Sequence, residues 1–203
     1  MTRRLAAAGL ATLAVVAVAG PTGSSAARSG RDTVGKRLFV IGDSLAVGTR
    51  PYLTRNLHGW RIRSSVSISK HAPQGAAELA RRGHSLPPVV VASLGSNDDP
   101  RETGGFEAAV RKSLRAAGMR GCVVWPNIVR PAVAGATYAG YNRILDRIAR
   151  RNEHLRVVDW AAIASHNRGW FGPDGVHPTA TGYMSRARAI AKQVRRCRAL
   201  LTK

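Results

Sequence analysis

Three short segments carry the residue types needed to turn a hydroxyl against a carbonyl. Gly42-Asp43-Ser44-Leu45 follows the apolar run Leu38-Phe39-Val40-Ile41, so Ser44 stands where a predicted strand turns into a helix. At such an elbow the hydroxyl projects off the sheet edge and the N–H points toward the helix N-terminus. Gly95-Ser96-Asn97-Asp98 follows a second apolar run, Val89-Val90-Val91-Ala92. The Asn97 amide there can donate to negative charge developing on a carbonyl oxygen. The same segment also reads as an Asx-type turn that simply carries the chain out of a strand. Asp174-Gly175-Val176-His177-Pro178 sets a carboxylate three residues before an imidazole. A serine hydroxyl needs a base at neutral pH; His177 can supply one, and Asp174 can orient the ring and stabilise its charged form. Pro178 biases His177 toward an extended backbone, and Thr179 can cap the helix that follows. Alone, this last segment equally describes a hydrogen-bonded turn before a helix.

These groups must be brought together by the elements between them. Apolar runs predict strands over 37–41, 62–68, 89–93, 122–125 and 155–158. Helical spacing predicts helices over 47–57, 75–82, 106–117, 138–151 and 179–198, as in Tyr141, Ile144, Leu145 and Ile148. Alternating strands and helices with uninterrupted apolar strands point to a parallel sheet covered on both faces. The expectation is a three-layer α/β/α sandwich of about five parallel strands. In such sheets functional residues gather beyond the carboxyl ends of strands. Ser44, Ser69-Lys70 and Gly95–Asp98 all fall there, and the Asp174–His177 loop can fold back over the same edge.

The first residues read as a leader. Arg3 and Arg4 precede an apolar stretch from Leu5 to Val18, a Gly20-Pro21 break and the small residues Ser24-Ser25-Ala26. That stretch is shorter than the ~20 residues a membrane span needs. Expected boundaries are a signal peptide over 1–26, a flexible linker over 27–36 and a single domain over 37–203. Export to the cell-envelope exterior or medium follows, with no stable span and a monomeric state. The chain has 32 Lys and Arg against 11 Asp and Glu, a net charge of +21. Only five of those cations are lysine, and they are scattered along helices without aromatic interleaving. An exported basic surface of this kind suits anionic envelope polymers or lipids better than nucleic acid. Cys122 and Cys197 are the only cysteines. Outside the cytosol such a pair can form one disulfide; two separate buried thiols are the other reading.

The order Gly-Asp-Ser-Leu, Gly-x-Asn-Asp, Asp-x-x-His-Pro resembles the SGNH/GDSL hydrolase family over roughly residues 37–198. That resemblance implies a flavodoxin-like sandwich and a serine esterase mechanism without cofactor or metal. It assigns the nucleophile to Ser44, the base to His177 and the orienting acid to Asp174. The oxyanion hole would comprise the Ser44 N–H, the Asn97 side chain and one backbone N–H after the second strand. The family has glycine at that last position, where this chain has Lys70. A backbone N–H does not require glycine, although a positive φ would strain lysine by about 1–2 kcal/mol. The Lys70 ammonium can lie at the pocket rim and attract an anionic acyl donor, and Gly75 is an alternative donor. His71 reads as an exposed loop residue, Asp43 as a brace for the elbow and Asp98 as a brace for its turn. No D-x-H or G-N-H sequence of metal-bound phosphoesterases is present.

Trp125, Asn127 and Trp170 are candidate substrate contacts; core packing and loop anchoring are the competing readings for the two tryptophans. The absence of a long apolar lid segment favours short acyl groups. Hydrolysis of carboxylic esters leads, on O-acetylated envelope carbohydrate or small lipid esters. An O-acyltransferase would use the same covalent intermediate. A non-catalytic module for anionic cell-wall polymers would use only the charge.

Overall fold

A computed structural model describes residues 34–203. The expected leader over 1–26 and most of the expected linker lie outside the described residues. The elements run β1 (Arg37–Gly42), α1 (Ser44–Asn56), β2 (Arg61–Val66), α2 (Ala72–Arg82), β3 (Val89–Ser93), α3 (Thr103–Ala117), β4 (Cys122–Pro126), α4 (Ala139–Ala149), β5 (Leu155–Val158), α5 (Trp160–Ser165) and α6 (Ala180–Leu201). The five strands pair in the order β2-β1-β3-β4-β5, every neighbour parallel. This is the expected flavodoxin-like order. It reverses at β1, so a crevice opens between the carboxyl ends of β1 and β3. Register places Gly42 beside Ser93, which brings the Ser44 elbow and the Asn97 turn to that crevice.

Side-chain alternation along the strands sorts the apolar residues into two cores. Phe39, Ile41, Val90, Ala92, Val123 and Trp125 face α2, α3 and α4. Leu38, Val40, Val89, Val91, Cys122 and Val124 face α1, α5 and α6. Tyr141, Ile144, Leu145 and Ile148 form the buried stripe of α4 that their spacing predicts. α5 escapes a periodicity reading because it is only six residues long. Among the described residues no helix is long and apolar enough to cross a membrane.

Cys122 at the start of β4 and Cys197 near the end of α6 are joined by a disulfide, their Cα atoms 5.6 Å apart. The bond closes a loop with a sequence separation of 75 and ties the last helix to an interior strand of the sheet. Replacing both cysteines by alanine is expected to lower the unfolding free energy by about 2–4 kcal/mol, read from urea denaturation of oxidised wild type and the double variant.

Candidate active site

The elbow after β1 is built around one buried carboxylate. Asp43, 1% exposed, N-caps α1 by accepting from the Leu45 N–H at 2.9 Å. Its second oxygen accepts from the Ser96 hydroxyl at 2.5 Å, and its own N–H donates to the Ser93 carbonyl at 3.1 Å. Asp43 therefore braces the elbow, as expected from sequence, and also fixes the residue before Asn97. Gly42 allows the close approach this needs, since a Cβ there would lie 2.7 Å from the Ser93 carbonyl oxygen. Burial pushes the Asp43 carboxyl up; the Ser96 hydroxyl, the Arg186 charge and backbone N–H groups oppose it. Ser44 follows as the first residue of α1, where helix geometry supplies no intrahelical acceptor for its N–H.

His177 reaches this serine from the opposite end of the chain. Its Nε2 lies 2.8 Å from Ser44 Oγ, and its Nδ1 lies 2.6 Å from Asp174 Oδ2. A carboxylate can only accept, so Nδ1 carries the proton and Nε2 is left to accept from Ser44. Asp174 Oδ1 accepts from the N–H groups of Val176 and His177, each at 3.0 Å. The His177 bond first, and those two backbone bonds next, hold the Asp174 carboxyl well below the usual range. The loop is closed on itself by Gly172 N–H donating to the His177 carbonyl at 2.8 Å. Thr179 donates from its N–H to the Trp170 carbonyl at 2.7 Å, and its hydroxyl caps α6 by accepting from Gly182 at 3.4 Å. The side chains of His177 and Asp174 are 47% and 50% exposed, so the relay is open to solvent.

The third loop is held from several sides. Tyr138 Oη donates to the carbonyls of Ser96 at 3.2 Å and Asp98 at 2.9 Å. Asp98 accepts from the Ala72 N–H at the start of α2, at 3.0 Å, and faces His71 Nδ1 at 3.5 Å. Asp98 thus ties the Asn97 turn to the loop after β2, a wider role than bracing its own turn. The Asn97 amide donates to the Lys70 carbonyl at 3.4 Å, which puts these two candidate donors side by side. Among the described residues the Lys70 N–H has no protein acceptor.

Other expectations for this loop are corrected. The positive φ falls at Ser69, +61°, rather than at Lys70. The Lys70 ammonium turns away from any rim and pairs with Glu78 at 2.9 Å, also donating to Ser65 Oγ at 3.0 Å. Burial raises the Glu78 carboxyl, but the bonds from Lys70, Ser65 and Arg82 outweigh it and leave it lowered to about 2. Gly75 is no alternative donor, because its N–H is spent on the His71 carbonyl inside α2 at 3.1 Å.

The proposed aromatic contacts also move out of the site. Trp125 is fully buried, its ring edge-on to Phe106 and its Nε1 donating to the Leu94 carbonyl at 3.0 Å. Asn127 is 6% exposed and structural: it donates to Asp159 at 2.8 Å and accepts from the Ala161 N–H at 2.7 Å. Trp170 stacks on the buried Trp160 with centroids 5.9 Å apart and anchors its loop. A cavity of about 1200 Å³ opens beside Arg37, Pro88 and His154, which precede or begin strands. It therefore belongs to the opposite edge of the sheet from Ser44.

Sequence reading overlooked Arg186. It is 2% exposed, and donates to Thr49 Oγ1 of α1 at 2.9 Å and to Ser93 Oγ of β3 at 3.0 Å. Burial pushes its guanidinium down to about 10, still charged at neutral pH, and the Asp43 carboxylate opposes that shift. The signal was its position in the stripe Gly182, Arg186, Ile190, Val194, Cys197, the buried face of α6. Arg186→Met removes the charge facing Asp43 and the donors to both hydroxyls, and is expected to cost about 3 kcal/mol in urea denaturation. Adding Asp43→Asn is expected to recover part of that loss rather than add to it, because the two charges are coupled.

No protein-family model and no curated protein matches the sequence. Solved structures do match. The C-terminal catalytic domain of Streptococcus pneumoniae peptidoglycan O-acetyltransferase A is 19% identical with a TM-score of 0.63, covering 82% of this chain and 94% of that one. A family 3 carbohydrate esterase from Talaromyces cellulolyticus is 17% identical with a TM-score of 0.68, covering 80% and 98%. A GDSL-like lipase from Bacteroides thetaiotaomicron is 16% identical with a TM-score of 0.58, covering 79% and 88%. At these identities the likeness is one of architecture: the chain has the fold of the SGNH/GDSL hydrolases.

Proposed function

We propose that the chain is an exported serine hydrolase of carboxylic esters, acting on short acyl groups borne by a bulky alcohol such as envelope carbohydrate or lipid. The observation that carries this reading is the continuous relay from Ser44 Oγ to His177 at 2.8 Å and from His177 to Asp174 at 2.6 Å. As Ser44 Oγ attacks the acyl carbon, His177 Nε2 takes its proton and Asp174 stabilises the imidazolium. Charge moving onto the carbonyl oxygen meets the N–H of Ser44, the Asn97 amide and the N–H of Lys70. The imidazolium then protonates the departing alcohol, which leaves an ester on Ser44. His177 next deprotonates a water that attacks this ester, and the acid departs. The reading calls on no cofactor.

The openness of the relay supports a large alcohol, since a half-exposed imidazole can approach an acyl group on a polymer without engulfing it. The high positive charge of the chain supports attraction to anionic envelope polymers. A second reading, O-acyl transfer to a sugar hydroxyl, is favoured by the likeness to the peptidoglycan O-acetyltransferase domain. The two differ only in what His177 deprotonates in the second half.

Ser44→Ala is expected to reduce turnover of aryl esters by roughly 10⁶-fold, leaving only the residual rate that the oxyanion donors and binding supply. Wild type should prefer acetyl over longer acyl chains; equal turnover by both proteins would remove Ser44 from the mechanism. Turnover only after a sugar acceptor is supplied would select the transferase reading. Asn97→Ala is expected to lower kcat about 10²- to 10³-fold with little change in KM, because its amide meets charge present only in the transition state.

A further inference from the structure

A groove of about 840 Å³ runs between the segment after β4 and the loop that holds Asp174 and His177. Its apolar walls include Val129, Pro131, Tyr138 and Phe171, and two guanidinium groups, Arg130 and Arg168, line it without any Asp or Glu among the lining residues. Arg130 donates through Nη1 to the Ser96 carbonyl, one residue from Asn97. Among the described residues its other nitrogens have no acceptor. Arg168 opens a short 3₁₀ turn, is exposed, and has no ion pair among the described residues. On the other side Gly172 and Gly175 line the groove and flank Asp174. The groove is thus bounded by the loop offering the base, and two of its lining side chains, Arg130 and Tyr138, are bonded to the loop offering Asn97. Neither Ser44 nor His177 lines it, so only the part of an ester remote from the reacting carbonyl could lie there.

We propose that this groove binds the end of the substrate remote from the reacting carbonyl, and that this end carries a carboxylate or phosphate. The proposal rests on the reading of Ser44 as nucleophile and adds to it the charge of the substrate. Planar guanidinium forks match both anions, and apolar walls that thin out water strengthen the attraction. Low sequence-wide acidity alone would not produce such a site. What does is the convergence of two arginines on a concave surface beside the catalytic loops.

Matched esters test it and identify which end is charged. 4-Acetoxybenzoate and 4-acetoxyphenyl phosphate are compared with 4-methylphenyl acetate, and 4-nitrophenyl hemiglutarate with 4-nitrophenyl butyrate, each normalised to its rate with hydroxide. In at least one comparison kcat/KM is expected to favour the anionic ester by about ten-fold, the scale of one charge-assisted hydrogen bond. Arg168→Gln should bring that ratio back toward one, and added salt should shrink it. Ratios near one in every comparison, or a ratio that Arg168→Gln leaves unchanged, overturn the proposal. Calorimetry with Ser44→Ala protein separates the two readings. Tighter binding of 4-acetoxybenzoate than of 4-methylphenyl acetate, or of 4-nitrophenyl hemiglutarate than of 4-nitrophenyl butyrate, supports the groove even where wild type turns over no ester, and equal binding within both pairs defeats it.

Discussion

One buried carboxylate fixes the relative placement of the chemical groups in this protein. Asp43 cannot leave its bonds without releasing the first turn of α1, the Ser96 side chain and a charge facing Arg186. Each bond reaches a different element, so the position of Ser44 is not a property of its own loop. A carboxylate at 1% exposure would ordinarily be expelled or neutralised. It is retained because a hydroxyl, backbone donors and a nearby guanidinium replace the water it lost. Burial raises its affinity for a proton, which is the electrostatic cost of using a charge as the keystone of the elbow.

The position of His177 depends on the same network through α6. Thr179 begins that helix two residues after His177, Arg186 is bonded to α1 and β3, and Cys197 is bonded covalently to β4. From Arg186 to Cys197 is about 16 Å of helix at the usual rise per residue. Restraints spaced along this length prevent α6 from pivoting, and so transmit the rigidity of the sheet to an otherwise exposed loop. Proton transfer demands placement within a fraction of an ångström, which an unanchored surface loop does not provide.

Much of this was legible in the sequence. The interior strands β1, β3 and β4 read correctly because continuous apolar runs are what a doubly covered sheet requires, while β2 is a mixed edge strand; Ser44, Asn97, Asp174 and His177 fell in segments that follow strands or precede a helix, as the topology demands. The starts of α1, α2 and α3 each came three residues earlier than the apolar spacing suggested, at Ser44, Ala72 and Thr103. Apolar periodicity tracks burial against the core and marks poorly a first turn held by caps and neighbouring loops. Long-range partners were less legible. Whether Lys70 faced a pocket or Glu78, and whether Trp125 faced a ligand or Phe106, depended on which side of the sheet each segment met. Arg186 was hidden for the opposite reason: one charge among 32 Lys and Arg looks like surface until its stripe is counted.

The exposure of the relay bears on which acceptor completes the proposed reaction. An acyl group on Ser44 would sit beside an imidazole that is 47% exposed, within reach of bulk water. A transferase must keep that water from His177 or outcompete it with a bound acceptor. Nothing near His177 among the described residues closes over the ring: Asp174 is itself half exposed, and the loop's internal bonds face its own backbone. Transfer on this scaffold would therefore require the acceptor to do the covering, by occupying the face of His177 before the acyl group is formed. Hydrolysis requires no such arrangement, and is the outcome toward which an open imidazole defaults.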